Sequence, residues 1–94
     1  MKLHWTGEAQ DDLANIQEYI AQDSPAAAAR VVATIFNFTE EQLSLPRIGR
    51  PGRTAGTFEL VVPKLPYTVP YRIVDDEIHI LRVYHQSRLW PDML

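Results

Sequence analysis

Cysteine is absent from all 94 residues, which excludes a disulfide framework and a thiolate zinc site. Histidine is scarce: His4, His79 and His85 are scattered and not at metal-ligand spacing, so neither metal nor cofactor is expected. No apolar run approaches the roughly 20 residues of a membrane-spanning helix, and Met1–Thr6 has no signal-peptide core. These absences lead us to expect a soluble, cytoplasmic chain with a single domain over residues 1–94. A chain of this length buries about 60–65% of its unfolded surface, enough for one modest core.

Basic residues are nearly missing from the first half. Residues 1–46 hold Lys2 and Arg30 against seven acids, a net of −5. Residues 47–94 hold seven basic residues against five acids, a net of +2. The imbalance suits an acidic or anionic partner for the second half, or else a solvated helical face with scattered arginines.

What is present is strong periodicity. Lys2 to Trp5 is long enough for a short strand. Thr6 then offers an N-cap, Glu8 sits in the first turn, and Ala9, Leu13, Ile16 and Ile20 recur at helical spacing. Asp11, Asp12, Asn15, Gln17 and Glu18 are assigned to the opposite, solvated face. Ser24-Pro25 starts a second helix, with an apolar stripe from Ala28 through Leu43. The short link between them predicts a helical hairpin over 7–22 and 25–43.

The second half alternates at period two. Strands are predicted over 57–62, 67–74 and 77–84, with Asp75-Asp76 as a two-residue hairpin loop. That loop sets a register: Ile73 faces Ile78, Tyr71 faces Ile80, Val69 faces Arg82 and Tyr67 faces Tyr84. The other face takes Arg72 beside His79, Pro70 beside Leu81 and Thr68 beside Val83, with His85 leaving that face at the strand end. Leu81 and Val83 would then mark an exposed apolar face for a protein partner. The fold class is α+β: two layers, with an N-terminal helical hairpin on one face of a small, largely antiparallel sheet. Residues 47–56, with three glycines and three arginines, read as a surface loop or a weak phosphate cradle, without the Lys-Ser/Thr ending of a Walker loop. Trp90-Pro91 in the short aromatic tail is expected to pack back on the body.

Several residue groups in this order resemble one family. They are Trp5-Thr6, Asp12-Leu13, Ile16 and Tyr19-Ile20; Asp23-Ser24-Pro25-Ala26-Ala27; Leu45-Pro46-Arg47-Ile48-Gly49-Arg50; Tyr71-Arg72; and Ile80 through Arg88. Together they resemble the RelE/ParE toxin superfamily of bacterial type II toxin–antitoxin modules over nearly the whole chain. The resemblance implies one of two activities. RelE-like members cut mRNA in the ribosome, whereas ParE-like members poison DNA gyrase.

RNA cleavage needs a base, an acid and cations for the phosphorane. RelE-like nucleases supply these largely with lysines on the second strand and an arginine opening the third. An approximate match places Glu59, Val61 and Thr68 at those positions. His85 matches a catalytic histidine of some YoeB-like members, with Arg88, and Arg53 or Lys64, as assisting cations. Arg72 stands about 20 Å along the strand from His85 and belongs to a surface ion pair or a partner contact. The Tyr-Arg pair, the Tyr84-to-Arg88 ending and the acidic balance resemble ParE-like chains more closely.

The expectation is therefore a ParE-like toxin, of the kind that stabilises plasmids or chromosomes, inhibiting DNA gyrase by protein contacts. A cognate acidic, DNA-binding antitoxin would neutralise it, and operator DNA would be reached only through that antitoxin. The expected partner contacts are Arg50, Arg53, Arg72, Leu81, Val83, His85 and Arg88. The alternative is a ribosome-dependent mRNA endoribonuclease using His85 and Arg88, and a third reading is a degenerate toxin that only binds its antitoxin.

Overall fold

The structure, a computed structural model, describes residues 2–44 and 49–87. The element order is β1 (Lys2–Trp5), α1 (Gly7–Ala21), α2 (Pro25–Leu43), β2 (Arg50–Pro51), β3 (Phe58–Val61), β4 (Tyr67–Val74), β5 (Glu77–Ile80) and β6 (Tyr84–His85). The strands form one sheet in the order β1-β5-β4-β3-β2, with β6 also paired to β4. Among the described strands, only the β1–β5 pairing is parallel.

Both helices start where the sequence predicts, and side-chain caps explain why. The Thr6 hydroxyl oxygen accepts from the Ala9 amide at 3.2 Å, and the hydroxyl donates to the Ile80 carbonyl at 2.8 Å. One residue thus caps α1 and ties its start to the sheet. Ser24 Oγ accepts from the Ala27 amide at 3.1 Å, with Pro25 in the first turn of α2. Along α2 the buried residues are Ala28, Ile35, Thr39 and Leu43, a helical stripe. Trp5 fastens β1 to this helix: its ring stacks on Phe36 at 5.1 Å and its indole N–H donates to Glu40 Oε2 at 2.8 Å.

The core lies between the helices and one face of the sheet. Cross-strand partners set that face. Leu3 lies beside Ile78, Trp5 beside Ile80, Tyr71 beside Ile80 and Phe58, and Val69 beside Leu60. Fully burying an Ile or Val side chain stabilises by about 1.5–3 kcal/mol, so this face carries most of the folding free energy. Asp75 (φ 49°) and Asp76 (φ 64°) are both left-handed, as a type I′ turn requires. The predicted two-residue loop and the pairings Ile73–Ile78, Arg72–His79 and Tyr71–Ile80 hold.

The strand predicted over 77–84 does not continue unbroken. It divides into β5 and β6 with Leu81, Arg82 and Val83 between them. The predicted loop at 47–56 contains the short strand β2, while Arg47 lies outside the described residues.

Candidate functional site

The break in the hairpin builds the site. Tyr71 pairs with Ile80, while Thr68 pairs with Tyr84 and Tyr67 with His85. Three steps along β4 therefore match four along the opposing chain. One extra residue has been inserted, which makes this a β-bulge. The Leu81 amide still donates to the Pro70 carbonyl at 2.9 Å. The Val83 amide leaves the ladder and donates instead to Asp12 Oδ2 on α1, at 2.9 Å.

Charge explains the insertion. Unbroken alternation would put Arg82 opposite Val69, which is fully buried, and would turn Val83 outward. The extra residue swings the guanidinium sideways instead. Arg82 Nε donates to Asp12 Oδ2 at 2.8 Å and Nη2 to Oδ1 at 3.0 Å, a two-pronged pairing. The hydrogen bond to Asp12 holds the Arg82 guanidinium above its ordinary pKa, against the opposing effect of burial. The guanidinium carbon also lies 4.8 Å from the centre of the Tyr84 ring.

This arrangement corrects several expectations. Arg82 does not face Val69, nor Tyr67 Tyr84, because the register slips by one residue. Val83 does not mark an exposed face: it is only 2% exposed and joins the core, while Leu81 is half-buried. Asp12 belongs to no solvated face, being 9% exposed. His85 emerges on the helix-covered face beside Tyr67, whose ring it meets edge-on at 5.4 Å.

A cavity of about 450 Å³ opens between α1 and this end of the sheet. Asp12, Asn15, Ile16 and Tyr19 line it from α1, and Tyr67, Val83, His85 and Ser87 from the other side. The Ser87 amide donates to His85 Nδ1 at 3.2 Å, and Ser87 Oγ lies 2.7 Å from the same atom. With Nδ1 accepting, the ring proton belongs on Nε2. Sequence reasoning missed Asp12, Asn15, Tyr19 and Tyr67 as a group. The available signal was Arg82, a charged residue assigned to an inward position.

The other candidates lie on the opposite face. Glu59 is 3% exposed, pairs with Arg50 in register and accepts from Arg50 Nη2 at 3.2 Å and from the Arg53 amide at 2.9 Å. The Arg53 Nε lies 3.9 Å from the same carboxylate. The glycines of this loop have structural reasons: a Cβ on Gly52 would lie 2.1 Å from Thr57 Oγ1, and Gly56 adopts φ +81°. Arg72 lies beside His79, whose Nε2 is 3.3 Å from Glu77 Oε1, and the His79 ring is 5.4 Å from that of His4. Among the described residues, the Arg72 Nε is buried without a hydrogen-bond partner. Arg72 and His85 are thus on opposite faces of the sheet. Arg88 and Trp90-Pro91 lie outside the described residues. No described helix is long and apolar enough to cross a membrane.

Known proteins share this architecture. The family profile for the ParE toxin of the type II toxin-antitoxin system parDE matches residues 3–90. Y4kP of Sinorhizobium fredii, named as a toxin, is 44% identical over 99% of this chain and 96% of its own length. The toxin RelE2 of Caulobacter vibrioides is 39% identical over 90% of this chain and 94% of its own. The solved structure of the chromosomal ParDE system from P. aeruginosa superposes with a TM-score of 0.81 at 31% identity, covering 90% of this chain and 95% of that one. A RelBE2 toxin-antitoxin complex from Mycobacterium tuberculosis gives 0.54 at 30% identity, covering 89% and 95%. The helical hairpin, the mixed sheet and these matches show that the chain belongs to the ParE toxin family of type II toxin-antitoxin systems, within the RelE/ParE superfamily.

Proposed function

We propose that this toxin acts by binding DNA gyrase and not by cutting RNA, and that an acidic, DNA-binding antitoxin neutralises it in the bacterial cytoplasm. The observation that carries the reading is the buried Glu59 carboxylate. It stands near a position where the nuclease members place a cation, and it neutralises Arg50 and Arg53 in place of a phosphate. Thr68 and Val61 add no charge there. His85 is separated from these arginines by the sheet, and among the described residues the cation beside its pocket, Arg82, is committed to Asp12. Stabilising a phosphorane requires cations on the same side as the acid and base. The related ParDE and RelBE2 structures are toxin–antitoxin assemblies, which supports an antitoxin partner. For contacts with the target or the antitoxin, Arg50, Arg53, Arg72, Leu81, His85 and Arg88 remain the proposed residues.

Purified protein added to a gyrase supercoiling reaction and to a translating extract tests the reading. Inhibition of gyrase with intact mRNA is the expected result. Codon-positioned cuts that His85→Ala lowers by ~10²–10⁴ would replace it with the endoribonuclease reading. That alternative draws on one observation, the His85 ring held with Nε2–H in a pocket.

A further inference from the structure

Arg72 and Arg82 are both half-buried, yet only one of them is matched within the chain. Arg82 meets the Asp12 carboxylate with two hydrogen bonds. Arg72, on β4, has no such counterpart. Among the described residues no carboxylate forms an ion pair with it, and its Nε is buried without an acceptor. Glu77, diagonal to it on β5, lies against His79 Nε2 at 3.3 Å instead. Glu59 is engaged with Arg50 and Arg53. A charge drawn half out of water needs an acceptor, so its absence at Arg72 requires a reason.

The surroundings of Arg72 define what would supply that acceptor. Tyr71 and Ile73 pack with the core, so alternation turns Arg72 to the face that the helices leave open. His79 lies beside Arg72 in register, and His4 lies beside His79. A row of one guanidinium and two imidazoles thus crosses β4, β5 and β1. Its neighbours along β4 on this face are Pro70 and Val74, with Leu81 bonded opposite Pro70. Val74 is 36% exposed and Leu81 half-buried. The permanent cation is therefore framed by apolar side chains. A nucleic-acid strand carries a charge at every nucleotide and is held by several cations along its length. One carboxylate set among apolar side chains matches this patch better, which is the chemistry of an acidic, partly apolar protein segment.

We propose that Arg72, flanked by His79 and His4, receives an aspartate or glutamate side chain of the antitoxin on the open face of the sheet, with apolar side chains of the same segment against Val74 and Leu81. Asp12 neutralises one half-buried arginine from within the chain, and the antitoxin neutralises the other from outside. The inference rests on the antitoxin reading above but not on which molecule is the toxin's target.

The test compares Arg72→Gln with Arg30→Gln, an exposed arginine on α2, in the full chain. Affinity for the antitoxin encoded with the toxin is titrated beside thermal unfolding of the free toxin and binding of a labelled RNA oligonucleotide. We expect Arg72→Gln to weaken the antitoxin complex at least tenfold, as loss of a charged hydrogen bond does, and Arg30→Gln to leave it unchanged. The free Arg72→Gln chain should unfold at the wild-type temperature or above, because no partner within the chain is lost. Neutralising the antitoxin's acids one at a time should then find one whose loss adds nothing to Arg72→Gln. Wild-type affinity in Arg72→Gln overturns the proposal, as does an equal loss in Arg30→Gln, which would mean general charge attraction. A lower unfolding temperature overturns it by revealing a partner inside the chain, and so does the absence of any coupled acid. A loss confined to the oligonucleotide overturns it in favour of nucleic acid. A wild-type chain that does not bind the antitoxin refutes the antitoxin reading itself and the proposal with it, whereas wild-type binding undiminished by Arg72→Gln refutes the proposal alone.

Discussion

The two halves of β4 solve the same pairing problem differently. From Tyr71 to Val74 the strand meets β5 residue for residue, across a turn whose two aspartates both adopt left-handed φ. At Tyr67 and Thr68 it meets β6 one residue out of step. The regular half is governed by alternation, because Ile73, Ile78, Tyr71 and Ile80 are all apolar and face one way. The irregular half is governed by a single charge. Keeping Arg82 in step would desolvate a guanidinium against Val69, a cost of several kcal/mol. The bulge avoids it, and the carboxylate of Asp12 then occupies both the guanidinium and the amide that the ladder has released.

The largest expected effect comes from breaking that clasp. Asp12→Ala leaves Arg82 and the Val83 amide without their acceptor and should cost about 3 kcal/mol in denaturant unfolding. The comparison sharpens if the extra residue is removed. Deleting Arg82 lets Val83, Tyr84 and His85 fall into unbroken alternation on their present faces, but strands the Asp12 carboxylate. The deletion combined with Asp12→Leu should therefore be more stable than the deletion alone, with a coupling of about 2 kcal/mol in a double-mutant cycle. No coupling would mean that charge does not set the bulge. In the regular half, Asp76→Gly relieves a left-handed φ of 64° and should stabilise by about 1 kcal/mol, raising Tm by roughly 4–8 °C.

The smallest effect appears only in alkali. Burial raises the pKa of Tyr71, against a hydrogen bond from the Gly49 amide, and burial likewise raises that of Tyr84, above the ordinary value of 10.0. Both phenols thus ionise more readily in the unfolded chain. Their contribution is complete below pH 10 and is lost as pH rises towards the folded values. Unfolding free energy should fall in that range, and less steeply in Tyr71→Phe.

Much of this was legible in the sequence. Caps at Thr6 and Ser24, the apolar stripes and the Asp75-Asp76 turn are local signals, and local signals placed both helices and the upper hairpin. The site was less legible because it depends on contacts distant in sequence. Asp12 looks like one more acid on a polar helix face until Arg82 arrives from the far end of the chain. His85 was recognisable as a candidate, but its face depended on a bulge that alternation alone does not supply. Glu59 was legible as an acid near a cation position, while its role as acceptor for Arg50 and the Arg53 amide required the short β2–β3 pairing.

The parallel pairing of β1 has a consequence for synthesis. Lys2–Trp5 leave the ribosome well before their sheet partner, Glu77–Ile80, and before the carbonyl that receives the Thr6 hydroxyl. At ~5–20 residues per second that interval is on the order of ten seconds. Throughout it the helical hairpin has no sheet to cover its apolar stripe, and the contacts that close the fold span almost the whole chain, a topology that folds slowly. The two-layer fold is thus completed only once Glu77–Ile80 have been made, long after both helices have emerged.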